Sequence, residues 1–341
     1  MAPLITDVIQ NATIAPQPTE LSGLGQENHA FNITMMVIQI AVIITALSGN
    51  ILVCTAILVH ERLRSSTTNY FIFSLAVSDI ITASIAMPFD VDQILKKYTW
   101  EHGEAMCNIF VTSYLVAAPL SMLNLLAVSV DRYHAITQPL QYPNIMTPKV
   151  VLTSIFSLWV YAILFTVIAM LAWPLYEKSV FDGACHFNIS PWYSLISSVV
   201  NFVLPTIVMC LLYFRIYKVA HAHARRIRGH EYSTDYNGHA LSTNGTMSGH
   251  ERKSIRRSIK AAKTIAIIVS AFLLCWMPYT LVSCASVICP PCFHRTPSEL
   301  FTVTLLLAYI NSALNPFLYA FHNTDFRESF RRLFRLQFTF I

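Results

Sequence analysis

The chain has 341 residues, of which 55% are hydrophobic and 12% charged, with a formal net charge of +5, and a soluble domain carries about twice that share of charge. So little charge cannot cover a water-facing globule of this size. The positive excess is no nucleic-acid signature either, because the basic cluster at 252–263 abuts an apolar run and reads first as a topology signal.

Residues 1–34 contain no Lys or Arg, so no basic segment precedes an apolar stretch in the manner of a cleavable signal. The first apolar run is expected to act as its own insertion signal. Asn11 and Asn32 each open an Asn-X-Thr acceptor for N-glycans. Asn188 opens a third, weaker one, with Pro191 close behind.

Apolar runs follow at 35–59, 70–89, 107–130, 150–176, 189–214, 264–288 and 300–321. Six contain no Asp, Glu, Lys or Arg and are at least 22 residues long, enough to cross about 30 Å of hydrocarbon as helix. The second is interrupted by one charge, Asp79. Strands of a membrane barrel would be roughly 10 residues long and alternate in polarity. These runs do neither, so the fold class is an all-α membrane protein, a seven-helix bundle.

Of the 23 Lys and Arg, 19 fall in 60–69, 131–149, 215–263 and 322–341. By the positive-inside rule these stretches are cytoplasmic. The expected organisation is an external tail at 1–34, a bundle at 35–321, and a cytoplasmic end at 322–341. A Gly-, Ser-, Asn- and Thr-rich loop at about 223–252 reads as disordered.

Cysteines sort by depth. Cys54, Cys210, Cys275 and Cys284 lie inside apolar runs, where a thiol behaves as a small hydrophobe. Cys107, Cys185, Cys289 and Cys292 lie at external ends, where bridges persist. Cys289-Pro-Pro-Cys292 reads as a redox or zinc pair, or as a local bridge; no second pair accompanies it, which favours the bridge.

Cys107 and Arg132 are 25 positions apart, which in a helix is roughly 37 Å, from one membrane face to the other. The third helix thus runs from an external cysteine to Asp131-Arg132-Tyr133. With Gly49-Asn50, Leu75 to Asp79, Trp159, Pro205 and Tyr213, Cys275-Trp276-Met277-Pro278 and Asn315 to Tyr319, the chain resembles a rhodopsin-like (class A) G-protein-coupled receptor from about Ala41 to Phe334.

The resemblance assigns roles. It surrounds Asp79 with Ser121, Asn311, Ser312 and Asn315, a pocket that holds sodium in many members; the plain alternative is a hydrogen-bond cluster that orders the bundle. Trp276 resembles the rotamer switch, with Phe272, Pro205 and Met122 beneath it. Pro88, Pro205, Pro278 and Pro316 bend their helices. Asp131 and Arg132 are either boundary charges or the coupling pair, Arg132 turning toward Tyr213 and Tyr319 as helix six swings out; Leu140 would insert into the G protein. A bridge between Cys107 and Cys185, both external, ties the second external connection to helix three. Residues 324–334 form an interfacial amphipathic eighth helix, Phe326, Phe330, Leu333 and Phe334 opposite Arg327, Arg331, Arg332 and Arg335.

Several motifs are those of amine receptors, but Tyr114 stands where such receptors carry the aspartate that pairs with the ligand. Asp90 is either the replacement counter-ion or an ordinary charge at a helix end. Tyr309 stands where visual pigments carry their retinal lysine, so no retinal is expected. The implied ligand pocket comprises Asp90, Val111, Tyr114, Phe187, Ser197, Ser198, Asn201, Trp276, Tyr279, Thr280 and Tyr309, suited to a small, neutral or weakly polar molecule and not to a long peptide. A heterotrimeric G protein is the implied partner, with arrestin a further candidate and the plasma membrane the location. Helix six carries Ser258 where many members have an acid that holds the arginine at rest, so high basal signalling is expected.

A transporter should show pseudo-symmetric halves, and the runs show no repeat. An enzyme should show a nucleophile elbow, metal-spaced histidines or carboxylates paired within the membrane, and the sequence has none of these.

Overall fold

The computed structural model describes residues 29–172, 178–219, 249–289 and 297–339. Asn11, Cys292 and most of the loop at 223–252 lie outside the described residues. Among the described residues, seven helices are long and apolar enough to cross a membrane. They are α1 (His29–Val59), α2 (Thr68–Leu95), α3 (Gly103–Thr137), α4 (Pro148–Ala172), α5 (Pro191–Val219), α6 (Gly249–Ile288) and α7 (Ser298–His322). An eighth, α8 (Thr324–Thr339), follows after a single residue.

Burial is distributed inside out. Within its apolar window α3 is 67% buried, whereas α4 and α5 are each 17% buried, so α3 is the axis of the bundle and the other two present side chains to lipid. Phe156, Leu164 and Leu171 of α4 are more than half exposed, a surface that only hydrocarbon can solvate.

Polar side chains inside the bundle join helices. Asn50 of α1 donates to the Ser312 carbonyl of α7 at 2.9 Å, and Trp159 of α4 donates to Ser74 of α2 at 3.0 Å. Gly49 permits the close approach of α1 and α7: a Cβ there would sit 2.7 Å from Pro316 Cγ.

The proline expectation is refined. In α2 a π turn at Thr82–Ala86 leads into Pro88, and in α5 another at Val199–Val203 leads into Pro205. One extra residue per turn absorbs the missing amide and re-aims the side chains beyond. Pro278 and Pro316 lie inside uninterrupted helices, as does Pro119 of α3, which the reading of the apolar runs passed over.

Helix ends differ from the run boundaries. α1 begins at His29, six residues before the apolar run, so Asn32 lies in a helix and not in the loop that a glycan acceptor favours. Asn188 is buried. α2 continues past Phe89 to Leu95, which places Asp90 inside a membrane helix.

At the outer face, β1 (Val180–Phe181) and β2 (Ala184–Cys185) form a hairpin. Its turn residues Asp182 and Gly183 both have positive φ, 51° and 73°, the conformation that matches strand twist in a two-residue turn. Cys185 is bridged to Cys107 at the top of α3. Cys289 is disulfide-bonded as well, and Cys54, Cys210, Cys275 and Cys284 are free.

At the inner face, Phe326 and Phe330 of α8 are buried, and Tyr319 stacks on Phe326 with centroids 5.3 Å apart. Arg62, in the turn after α1, pairs with Asp325 at 2.9 Å. The Phe and Arg sides of α8 divide as expected over the side chains described.

Candidate functional site

Three groups of side chains follow one another down the bundle. The outermost is aromatic. Tyr114 of α3 lies edge-on to Phe187, centroids 5.5 Å apart, and to Tyr279, 6.2 Å apart. Tyr279 in turn meets Trp276 at 6.3 Å. Tyr309 is buried among Val42, Ala83, Met87 and Leu306, and its hydroxyl donates to Asp90. The Tyr114 hydroxyl and the Trp276 indole N–H are buried, and neither has a hydrogen-bond partner.

Below them lies a small, water-sized cavity lined by Thr82, Tyr114, Ala118, Ser121, Trp276, Ala308, Tyr309 and Ser312. It connects the aromatic tier to the polar one. Thr82, Ala118 and Ala308 were not foreseen; small residues mark the space by what they leave empty. Beneath Trp276, Phe272 and Phe202 stack on the indole at 5.9 and 5.3 Å. The Phe202 contact comes from the π turn of α5.

The second tier is polar and fully enclosed. Asp79 is wholly buried and accepts from Ser312 and Asn315, each at 2.8 Å. Ser121 shares a hydrogen bond with Ser78 at 3.0 Å. Asn311 Nδ2 and Asn315 Oδ1 have no partner.

The third tier is at the carboxyl-terminal end of α3. Asp131 is buried, and Arg132 donates to its Oδ2 through Nη2 at 2.6 Å and Nε at 2.9 Å. Thr68 of α2 donates to the same oxygen at 2.7 Å and accepts from Arg132. Tyr142, in the single-turn helix Tyr142–Ile145, donates to Oδ1 at 2.9 Å and accepts from Arg132 Nη2 at 3.3 Å. Burial, and then the charge of Asp131, raise the pKa of the Tyr142 phenol above its ordinary value. It stays protonated and remains a donor. Ser129 donates to the Tyr213 hydroxyl at 3.4 Å; Tyr133 and Tyr213 pack on Ile136 and Ile216. Leu140 is 84% exposed.

The tiers have the order and chemistry of a signalling receptor, and sequence comparison decides the family. The model of the 7 transmembrane receptor (rhodopsin family) matches residues 49–319. The chain belongs to that family. It is 35% identical to the histamine H2 receptor of Cavia porcellus, over 89% of this chain and 80% of that protein. It is 33% identical to octopamine receptor beta-2R of Chilo suppressalis, over 86% and 78%, and 35% identical to 5-hydroxytryptamine receptor 4 of Cavia porcellus, over 85% and 76%. The receptor is a G-protein-coupled receptor for a small molecule, a multi-pass membrane protein, and not an enzyme or transporter.

Three residues expected to line the receptor's pocket are engaged elsewhere. Asn201 is buried and accepts from Tyr161 of α4 at 2.8 Å while donating to Ser197 at 3.2 Å. Val111 packs with Trp100, Cys107 and Phe110 beneath the hairpin. Thr280 turns back to the Trp276 carbonyl at 3.0 Å. Each sits on an expected helix; Asn201 is claimed by α4 and Val111 by the packing under the hairpin, while Thr280 bonds within its own helix. Ser198 is half-buried on α5, and Phe187 is 41% exposed at the outer end. The reading missed Thr68 and Tyr142, whose residue types carry no signal of their own. Only their distance from Asp131 reveals them.

Proposed function

We propose that the receptor resides in the plasma membrane with its amino terminus outside, that it binds a small protonated amine in the outer tier, and that it activates a heterotrimeric G protein by outward movement of α6. The observation that carries the reading is the vertical continuity of the site. Tyr114, Trp276 and Tyr309 border the same cavity as Ser121 and Ser312, so a ligand that displaces Trp276 acts directly on the polar tier that joins α2, α3 and α7. The names of the relatives support the ligand class, since histamine, octopamine and 5-hydroxytryptamine are all amines. The 19 cytoplasmic-side basic residues support the orientation.

Sodium fits the polar tier. Asp79 supplies the charge, and Ser121, Ser312 and the unpartnered Asn315 Oδ1 supply neutral oxygens, the donor set of a hard cation. Such an ion would neutralise Asp79 and favour the closed packing of α2 against α7. At the inner face the Asp131, Thr68 and Tyr142 cluster holds Arg132 at rest, and exposed Leu140 offers an apolar contact to the G protein. Arrestin would use the same opened face, and α8 lies along the inner leaflet.

Arg132→Ala is the test. Nucleotide exchange on added G protein should vanish while surface expression and ligand binding survive. Normal exchange by the variant would remove Arg132 from the coupling role.

A further inference from the structure

A carboxylate inside a membrane helix is costly unless a cation or several donors compensate it. The described acids near the outer cavity divide sharply by this criterion. Asp79 has Ser312 and Asn315. Glu104, at the top of α3, is taken by the hairpin amides of Ser179 and Val180 at 2.6 and 3.0 Å. Asp92 is paired with His102 and Lys96 at 2.7 and 3.5 Å.

Asp90 is different. Its Oδ2 accepts from Tyr309, and among the described residues its Oδ1 accepts no bond and no basic side chain pairs with it. One neutral phenol is poor compensation for a full charge. Asp90 is half-buried; its partner Tyr309 borders the cavity, and Asp90 lies within electrostatic reach of Tyr114 and Tyr279. The faces of those rings attract a cation by their quadrupoles. The Tyr114 hydroxyl, buried without a partner, supplies a polar contact for the remainder of a ligand. Carboxylate, aromatic faces and an unsatisfied hydroxyl together make a site for an alkylammonium group.

We infer that Asp90 of α2, presented against Tyr309 of α7, is the counter-ion of the protonated amine, and that the ammonium group therefore sits between α2 and α7 and not against α3. This rests on the amine reading above and specifies its geometry. α3 contributes Tyr114, a ring and a hydroxyl, in place of a charge. The π turn at Thr82–Ala86 rotates the part of α2 beyond it, which includes Asp90, by the width of one residue.

The experiment uses the full-length receptor in cells, with cyclic AMP and calcium read together. The probes are histamine, octopamine, dopamine and 5-hydroxytryptamine, each beside its analogue with the amino group replaced by hydroxyl. At least one amine should act on the native chain, and its alcohol analogue should not. Asp90→Asn, nearly isosteric, should raise the half-maximal concentration about 30-fold or more at equal surface expression. Adding Tyr114→Asp to Asp90→Asn should recover part of that loss by returning a carboxylate to the cavity from α3. An amine that acts on Asp90→Asn with native potency overturns the inference and leaves the amine reading standing. A native chain that answers an amine and its alcohol equally overturns it without recourse to any variant. Silence toward all four amines, with nucleotide exchange on G protein still measurable, removes the amine reading and this inference with it.

Discussion

The two ends of α3 are secured by different chemistry. At the outer end a covalent bond joins Cys107 to Cys185, Glu104 accepts from two hairpin amides, and the Trp100 amide donates to the Gly183 carbonyl at 2.7 Å. At the inner end Arg132 is held by an ion pair with Asp131 and by hydrogen bonds to Thr68 and Tyr142, with no covalent link. A disulfide does not open on the time scale of signalling, whereas individual hydrogen bonds contribute about 0.5–1.5 kcal/mol each, somewhat more to charged groups. The outer end keeps its shape while ligands come and go. On the proposed coupling role the inner end must let go, and its cluster is small enough for the differential affinity of one ligand to outweigh it.

The largest expected effect comes from breaking the outer end. The Cys107–Cys185 bridge spans 78 positions of sequence, and its removal by Cys185→Ser should cost roughly 2–4 kcal/mol of stability. Thermal unfolding of detergent-solubilised receptor should show a marked fall in Tm, with reduced surface expression. An unchanged Tm would mean that the Glu104 clamp alone secures the hairpin, and the contrast between the two ends would be lost.

A smaller effect is expected at the inner end. Tyr142→Phe removes the hydroxyl that donates to Asp131 and accepts from Arg132 and leaves the ring in place. Loss of about 0.5–1.5 kcal/mol of hold should raise basal nucleotide exchange about 2- to 10-fold with little change in Tm. A large fall in Tm with no change in exchange would make Tyr142 a structural residue and not part of the resting clasp.

How far the sequence revealed this architecture varied with the type of information. Apolar runs, six of them free of charge and one interrupted by Asp79, located all seven crossings, because lipid solvation acts on every exposed side chain and its signature is additive. Their ends were misplaced, since hydropathy records contact with lipid, while a helix stops where its backbone turns. Hence α1 starts at His29 and α2 reaches Leu95, each beyond its apolar run. The resemblance placed Asp79, Arg132 and Trp276 on the correct helices. It did not predict that Asn201 would be claimed by Tyr161, or that Asp90 would meet Tyr309. Those are contacts between elements remote in sequence, decided by the rotation of each helix, and the π turns in α2 and α5 alter that rotation without a composition of their own. Thr68 was illegible for a related reason: its partner Asp131 is 63 positions away, and a threonine at a helix start is ordinary.

The smallest expected effect concerns what is missing beside Arg132 on α6. Ser258 lies 20 residues before Pro278 within α6, at the position where many family members carry an acid that pairs with this arginine. Its neighbours in sequence include Arg256, Arg257 and Lys260, none of which can pair with an arginine. A partly exposed ion pair contributes only about 0.2–1 kcal/mol, so its absence should raise the active fraction by a factor of about 1.4 to 5. Ser258→Glu should therefore lower basal nucleotide exchange by that factor at equal surface expression. Combined with Tyr142→Phe it should offset the rise, because on the proposed reading the two changes act on the same arginine with opposite sign. Basal exchange that is absent in the native chain, or unmoved by the added acid, would show that α6 is held shut by contacts that do not involve Arg132. The inner end would then have to be secured by packing, as the outer end is by its bridge.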